Sequence, residues 1–491
     1  MRNKLRLGIV IFQVLLVAGL GIYVVEAQEQ REWSSPFRLS TVDRKSSEAY
    51  LTSDQFGYVH VFWTEELEDQ RSLLQYARYN GETWSTPVDI RVTEPFVPIG
   101  NVSPIVDGNG TLHIAWTEGK TGPAYYASAP AHNATSAQQW QKPHMIKVPA
   151  DSIKLRVDAQ GVLHALYIKF LGDDPGIYYI HSEDQGTSWS NPVWLDPDIL
   201  PGYGPRALNF EIDDSGGLHA LWYYVPIEDT GGDWVRYVHS LDGGNTWSQP
   251  FTIDKLDEAA IENEYSLSAA GPVMAVQGQS VHVIWAGGKL HYRHYRYSTD
   301  AGQTWSEPER IFGELNGQAF DGMAIDGNGR VHYFAQIRFP MGIYHSFLQG
   351  GVWSTPELIY LIRETSADEA GNRIQAHNTH PAIRAGNQVV LTLADNPSYP
   401  MRRLFAMVHT LTDVAPLEPA ATPTPIGTPI IEQAATPMPT ATPLIPSFNE
   451  APSGTSSGSS APARAVWLGL VPAVFLIGLA FVTRFLIKPT R

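Results

Sequence analysis

The sequence contains no cysteine, so no disulfide can staple it, and stability has to come from buried core. That excludes the small disulfide scaffolds. Excess positive charge is also missing: 34 Lys and Arg face 50 Asp and Glu, a net charge of −16, which argues against nucleic acid or anionic lipid as a partner of the folded part. Charged heptads and metal-ligand spacings are absent too, so neither a coiled coil nor a metal site is expected, and no cofactor is expected. What is abundant is aromatic and turn-forming: 14 Trp, 22 Tyr and 18 Phe stand beside 42 Gly and 36 Pro. Short aromatic strands broken by turns account for that mixture, and the fold class is expected to be all-β.

The two ends are apolar. Arg2, Lys4 and Arg6 precede an apolar stretch from Leu7 to Val25, followed by Val25-Glu26-Ala27, which suits signal peptidase, so residues 1–27 read as a secretion signal. The alternative is an uncleaved N-terminal anchor. Ala465 to Thr483 is an almost uninterrupted apolar run, long enough as a helix to cross a bilayer, and 465–487 reads as a membrane span. Arg484, Lys488 and Arg491 place the 488–491 tail on the cytoplasmic side. A single-pass protein of the cell membrane with its N-terminal domain outside is the expectation. Residues 414–464, rich in Thr-Pro steps and then in Gly and Ser, cannot form a core and read as a linker. This leaves 28–413 as the folded domain.

Within that domain a period of about fifty residues is carried by Trp-x-x-Pro-x-x-Ile/Leu, starting at Trp33, Trp84, Trp140, Trp189, Trp247, Trp305 and Trp353. Upstream of six copies a Gly turn leads into an alternating strand centred on His60, His113, His164, His219, His282 or His332. A residue recurring once per repeat serves the repeat, so these histidines are expected to pack or hydrogen-bond rather than to hold a metal. A short aromatic strand lies between the two signatures and an apolar stretch precedes each Gly turn. The sum is four strands per repeat, the make-up of a β-propeller blade. Because the first Trp copy precedes the other strands and His380 to His409 lacks one, the N-terminal strand is expected to close the last blade. Seven blades are expected, or six if His380 to His409 does not form one.

Three turns share Ser-x-Asp-x-Gly-x-Thr/Ser-Trp: Ser182, Asp184, Gly186 and Trp189; Ser240, Asp242, Gly244 and Trp247; Ser298, Asp300, Gly302 and Trp305. The carboxylate can accept turn amides, the glycine supplies a conformation other residues avoid, and the tryptophan packs the hairpin onto its blade. The motif resembles the Asp-box, or BNR repeat, of sialidase-like propellers, over about residues 33–410. It is a scaffold motif and carries no chemistry of its own.

The resemblance also implies where to look for a site. Sialidases grip a carboxylate with three arginines and use a Tyr nucleophile activated by a Glu, with an Asp as acid and base. Pro36-Phe37-Arg38-Leu39 resembles the family's first arginine motif, but repeat alignment puts Arg38 level with Asp89, Trp194, Thr252, Arg310 and Leu358 on outer strands, away from the axis. The candidates that remain are Arg206, Glu262, Glu264, Tyr265 and Arg384, with Arg156, Arg363 and Arg373 nearby in the pattern. Recognition loops are expected at Trp63 to Glu68, Phe170 to Pro175, Tyr223 to Trp234 and Phe339 to Met341. These features point to a recognition module for carbohydrate or for an extracellular protein, with a sialidase-type exo-glycosidase as the alternative. Convergence of three arginines at the axis separates the two.

Overall fold

A computed structural model describes residues 33–421 apart from 43, 200, 228–231, 256–269, 289, 318–319, 339, 362–376 and 399–400. The expected signal segment, residues 1–27, and the apolar run at 465–487 lie outside the described residues. So does the linker beyond residue 421.

Seven antiparallel sheets form seven blades, each meandering from an inner strand at the axis to an outer strand at the rim. Blade one shows the pattern: inner Tyr50–Ser53, second Val59–Glu66, third Ser72–Tyr79 and outer Val88–Val92. Second strands are buried on both faces, because the neighbouring blades cover them from either side, and their alternation of polar and apolar residues is correspondingly weak. The helical elements among the described residues are two short 3-10 turns, Ala131–Asn133 and Ala137–Gln139. No helix among the described residues is long and apolar enough to cross a membrane.

The recurring histidine is the centre of a hydrogen-bonded chain. In blade one the Asp54 carboxylate accepts the Phe56 and Tyr58 amides at 3.0 and 2.8 Å, capping the turn between inner and second strands. Its other oxygen lies 3.0 Å from His60 Nε2, and the Tyr76 hydroxyl donates to His60 Nδ1 at 2.8 Å. Blades three and four repeat this with Asp158, His164 and Tyr179 and with Asp213, His219 and Tyr237. In blade two Tyr126 bonds to His113 while Asp107 stands 3.4 Å from its Nε2 without a hydrogen bond, and in blade six His345 replaces the tyrosine beside His332 and Asp326. Blade five has a shorter turn, Gly278-Gln279, without an aspartate, and burial pushes the pKa of its His282 down to about 4. Burial also lowers His60, His164, His219 and His332, with their aspartates pulling the other way.

Each tyrosine reaches the next blade. The tryptophan ahead of that blade's outer strand stands edge-on to it: Trp140 on Tyr76, Trp189 on Tyr126, Trp247 on Tyr179, Trp305 on Tyr237 and Trp353 on Tyr295, at 4.8–6.2 Å between ring centroids. The Ser-x-Asp-x-Gly turns fit the same place. Asp242 Oδ1 accepts both the Ser240 hydroxyl and the Thr246 amide at 2.8 Å, and Asp184 and Asp300 do the same in their turns. Gly302 has φ +84°, and a Cβ there would collide with the Tyr237 hydroxyl, so glycine is required twice over.

The ring closes through the N-terminus, as the repeat order requires. Phe37–Arg38 pairs with Met401–Thr410 as the outer strand of blade seven, and Trp33 stacks on His409 at 5.1 Å and stands edge-on to Phe334 of blade six at 6.1 Å. Arg38 is thus on an outer strand, its guanidinium spent on the Ser40 and Thr41 carbonyls. Beyond Thr410 the chain remains docked: Leu417 N donates to Ala385 O at 2.9 Å and Ala420 N to Gln55 O at 2.7 Å. The start of the Thr/Pro-rich segment, expected to be free from 414 onward, therefore lies across the innermost turns of blades seven and one.

Two outcomes follow from this packing. Deleting residues 33–40 removes both the closing strand and the Trp33 wedge, and a thermal melt should show the whole propeller destabilised rather than one blade. The histidine pKa values add an acid limit: with folded values below the unfolded value near 6.5, the unfolded chain binds more protons as pH falls. Stability should be at its plateau above pH ~6.5 and should fall between there and pH ~4, read as a dropping Tm.

Candidate functional site

The inner strands of all seven blades surround an axial cavity of about 690 Å³. Register sorts its wall into tiers. The inner-strand residues paired with the position two after each strand histidine are Tyr50, Ser103, Lys154, Asn209, Val273 and Gly322, with His380 at the matching place in blade seven. All seven line the cavity, and Lys154 is the one formal charge among them. One tier toward the turns, Arg156 and Glu211 of adjacent blades form a bidentate pair at 2.6 and 3.1 Å that occupies that end. One tier the other way, Arg206 pairs in register with Tyr223.

The cluster around Lys154 is short of partners. Its ammonium lies 5.5 Å from the Tyr50 ring centroid and makes no hydrogen bond or ion pair among the described residues. Burial and the nearby Arg156 push its pKa down to about 8, against Glu211 and Glu48. Tyr50 stacks at a tilt on His380 at 5.4 Å and donates its hydroxyl to Asn101 Oδ1 at 3.0 Å. Burial and Lys154 hold His380 neutral, down to about 3, and its Nε2 is buried without a hydrogen-bond partner. A buried imidazole nitrogen left unpaired costs free energy unless something entering the cavity meets it.

At the mouth, Arg206 is exposed and lies over the Phe170 ring at 4.3 Å, with no ion pair among the described residues. Burial raises the pKa of the Tyr223 hydroxyl opposite it, with Arg206 opposing, and that hydroxyl has no hydrogen-bond partner among the described residues. Asp151 Oδ2 accepts the Phe170 amide at 2.7 Å, and burial raises its carboxyl. Asp321 is not free to react: it holds the fully buried Arg293 at 2.7 Å and also takes the Tyr333 hydroxyl.

The sequence-derived candidates divide. Arg206 and Arg156 line the cavity. Arg384 sits at the other end of its inner strand, among the Asp-containing turns, where it donates to the Gly57 carbonyl at 2.6 Å and the Asn80 carbonyl at 2.8 Å and ties blade seven to blade one. Glu262, Glu264, Tyr265, Arg363 and Arg373 fall outside the described residues. Among the described residues, then, two arginines reach the cavity, one of them committed to Glu211. Lys154, Tyr50 and His380 were not singled out by pattern. Counting inward from the strand histidine through the hairpin register would have found them.

No family model and no curated protein matches the chain. Solved structures do. A polysaccharide lyase described as an ulvan lyase superposes with a TM-score of 0.52 at 12% identity, covering 76% of this chain and 95% of that one. The same kind of lyase bound to -[GlcA(1-4)Rha3S]- gives 0.51 at 12% identity, with 76% and 95% covered. The NanB sialidase from Streptococcus pneumoniae gives 0.42 at 11%, with 78% and 71% covered. At 12% identity the likeness to the two lyases bears on the fold alone, an all-β propeller.

Asp321 gives the clearest test of which cavity carboxylates are structural. Asp321→Ala strands a buried guanidinium, and chemical denaturation should show a loss of about 3–5 kcal/mol.

Proposed function

We propose that the chain is an extracellular Asp-box propeller, anchored by the apolar segment at 465–487, whose axial cavity binds a saccharide carrying carboxylate or sulfate groups. One observation carries this reading: on a chain of net charge −16, three cationic groups without an ion-pair partner among the described residues, Lys120, Lys154 and Arg206, line one cavity. Aromatic faces stand beside them. Phe170, Tyr50 and Tyr223 offer stacking surface for pyranose rings, while Asn101 and Asn209 offer amides. Pocket size fits two or three sugar units rather than a protein segment, which favours carbohydrate over an extracellular protein as the ligand. A propeller of the same fold holds -[GlcA(1-4)Rha3S]-, so the architecture is compatible with such an occupant.

Display is consistent with that use. The last described residues, up to 421, dock on the face of the Asp-containing turns, at the opposite end of the inner strands from Arg206.

Binding to the full-length protein in detergent tests the proposal, with acidic and neutral oligosaccharides titrated side by side. Carboxylated or sulfated sugars should bind, more weakly as salt rises, and Arg206→Ala should weaken them about tenfold or more. Equal binding of neutral sugars, or an Arg206→Ala variant with unchanged affinity, contradicts it. Turnover of a fluorogenic sialoside would favour the exo-glycosidase alternative instead.

A further inference from the structure

We infer that the cavity also cleaves a uronate-containing saccharide by β-elimination: Lys154 takes the proton next to the carboxylate, Arg206 holds the carboxylate, and Tyr223 protonates the departing oxygen. This rests on the saccharide reading above and adds a reaction to it. Lys154, Arg206 and Tyr223, which line the cavity without a hydrogen bond or ion pair among the described residues, supply the three roles that elimination needs, beside Lys120 and the unpaired Nε2 of His380.

A carbon next to a carboxylate is a very weak acid until that carboxylate's charge is neutralised. The Arg206 fork, stacked on Phe170 and unpaired, can meet both oxygens at once. A base must then be unprotonated near neutral pH. Lys154 qualifies through its surroundings: Arg156 on its own strand and burial favour the free amine, Glu211 of the next inner strand and Glu48 before the first oppose it, and the facing rings of Tyr50 and neutral His380 add no charge. Lastly, the leaving oxygen needs a proton. Tyr223 stays protonated because it is buried, and its register partner is Arg206 itself.

Lys154 and Arg206 line the same cavity from adjacent inner strands one tier apart, two residues of strand rising roughly 7 Å along the axis. Hydrolysis uses two carboxylates, and of the four that line the cavity Glu211 and Asp321 are tied into arginine pairs while Asp151 accepts the Phe170 amide.

The step balances without water or any redox partner. The amine takes H5, the C5–H electron pair forms a C4=C5 double bond, the C4–O bond breaks, and the oxygen leaves with the tyrosyl proton. The ammonium and phenolate then return to their starting states by proton exchange with solvent.

The test uses the full-length protein in detergent with polygalacturonate, alginate, hyaluronan and heparan sulfate, measuring binding and near-ultraviolet absorbance of the unsaturated product together. At least one bound polymer should give the absorbing product, at a rate that rises with pH through about 8 as Lys154 loses its proton. Lys154→Met and Tyr223→Phe should each slow the reaction about a hundredfold or more. The conservative Tyr223→Phe should leave binding within a few-fold, and it decides the matter if Lys154→Met does not fold. Binding without an absorbing product, new reducing ends without the double bond, or an unchanged rate in either folded variant overturns elimination while the binding reading stands. Absence of binding to every polymer removes both.

Discussion

The structure depends on one shared side chain in each of blades one to five, the tyrosine caught between its own histidine and the tryptophan of the next blade, with His345 in that place in blade six. A four-stranded blade cannot bury its two faces alone, so it is stable only against neighbours. The Asp–His–Tyr chain aims each ring at the neighbour, and the neighbour's glycine turn leaves just enough room for it. Tyr237 is the clearest case, bonded to His219 on one side and covered by Trp305 and Gly302 on the other. Because the blades form a closed ring, this repeated contact also brings seven inner strands to the axis, and the cavity is what lies between them.

Where repetition governs, the chain was legible. Trp-x-x-Pro marks the lead into each outer strand, and Trp33 ahead of any complete blade foretold the closing strand. The aspartate six residues before five of the histidines, such as Asp213 before His219, was equally regular in the sequence, though its part in the contact emerges only with the hydrogen bonds. Axial residues are harder to read, because each inner strand presents a different side chain at the same tier. Lys154 on a strand with alternating polarity reads as a solvated residue, and nothing local shows that its face is the axis. Arg384 shows the complementary difficulty: an inner strand can be recognised without knowing which end of a given side chain's reach meets the cavity and which meets the turns.

Charge gives the cavity its character. The chain as a whole is acidic, and along the axis two of the carboxylates are neutralised by Arg156 and Arg293, whereas Lys120, Lys154 and Arg206 line the cavity without an ion pair among the described residues. Cations lining a cavity of an acidic protein favour an anionic ligand there. The Nε2 of His380, buried without a hydrogen-bond partner among the described residues, extends the same deficit to neutral hydrogen bonds. With the tail docked across the turns on the far side, the geometry favours a ligand entering from the Arg206 mouth.

A crystal structure of the protein soaked with an acidic oligosaccharide tests this account most directly. It predicts density in the axial cavity, with a carboxylate or sulfate within hydrogen-bonding distance of the Arg206 guanidinium and a second polar group beside Lys154 or His380. Saccharide density on the Asp-containing turns or along the outer strands, with the axial cavity holding only water, would contradict it.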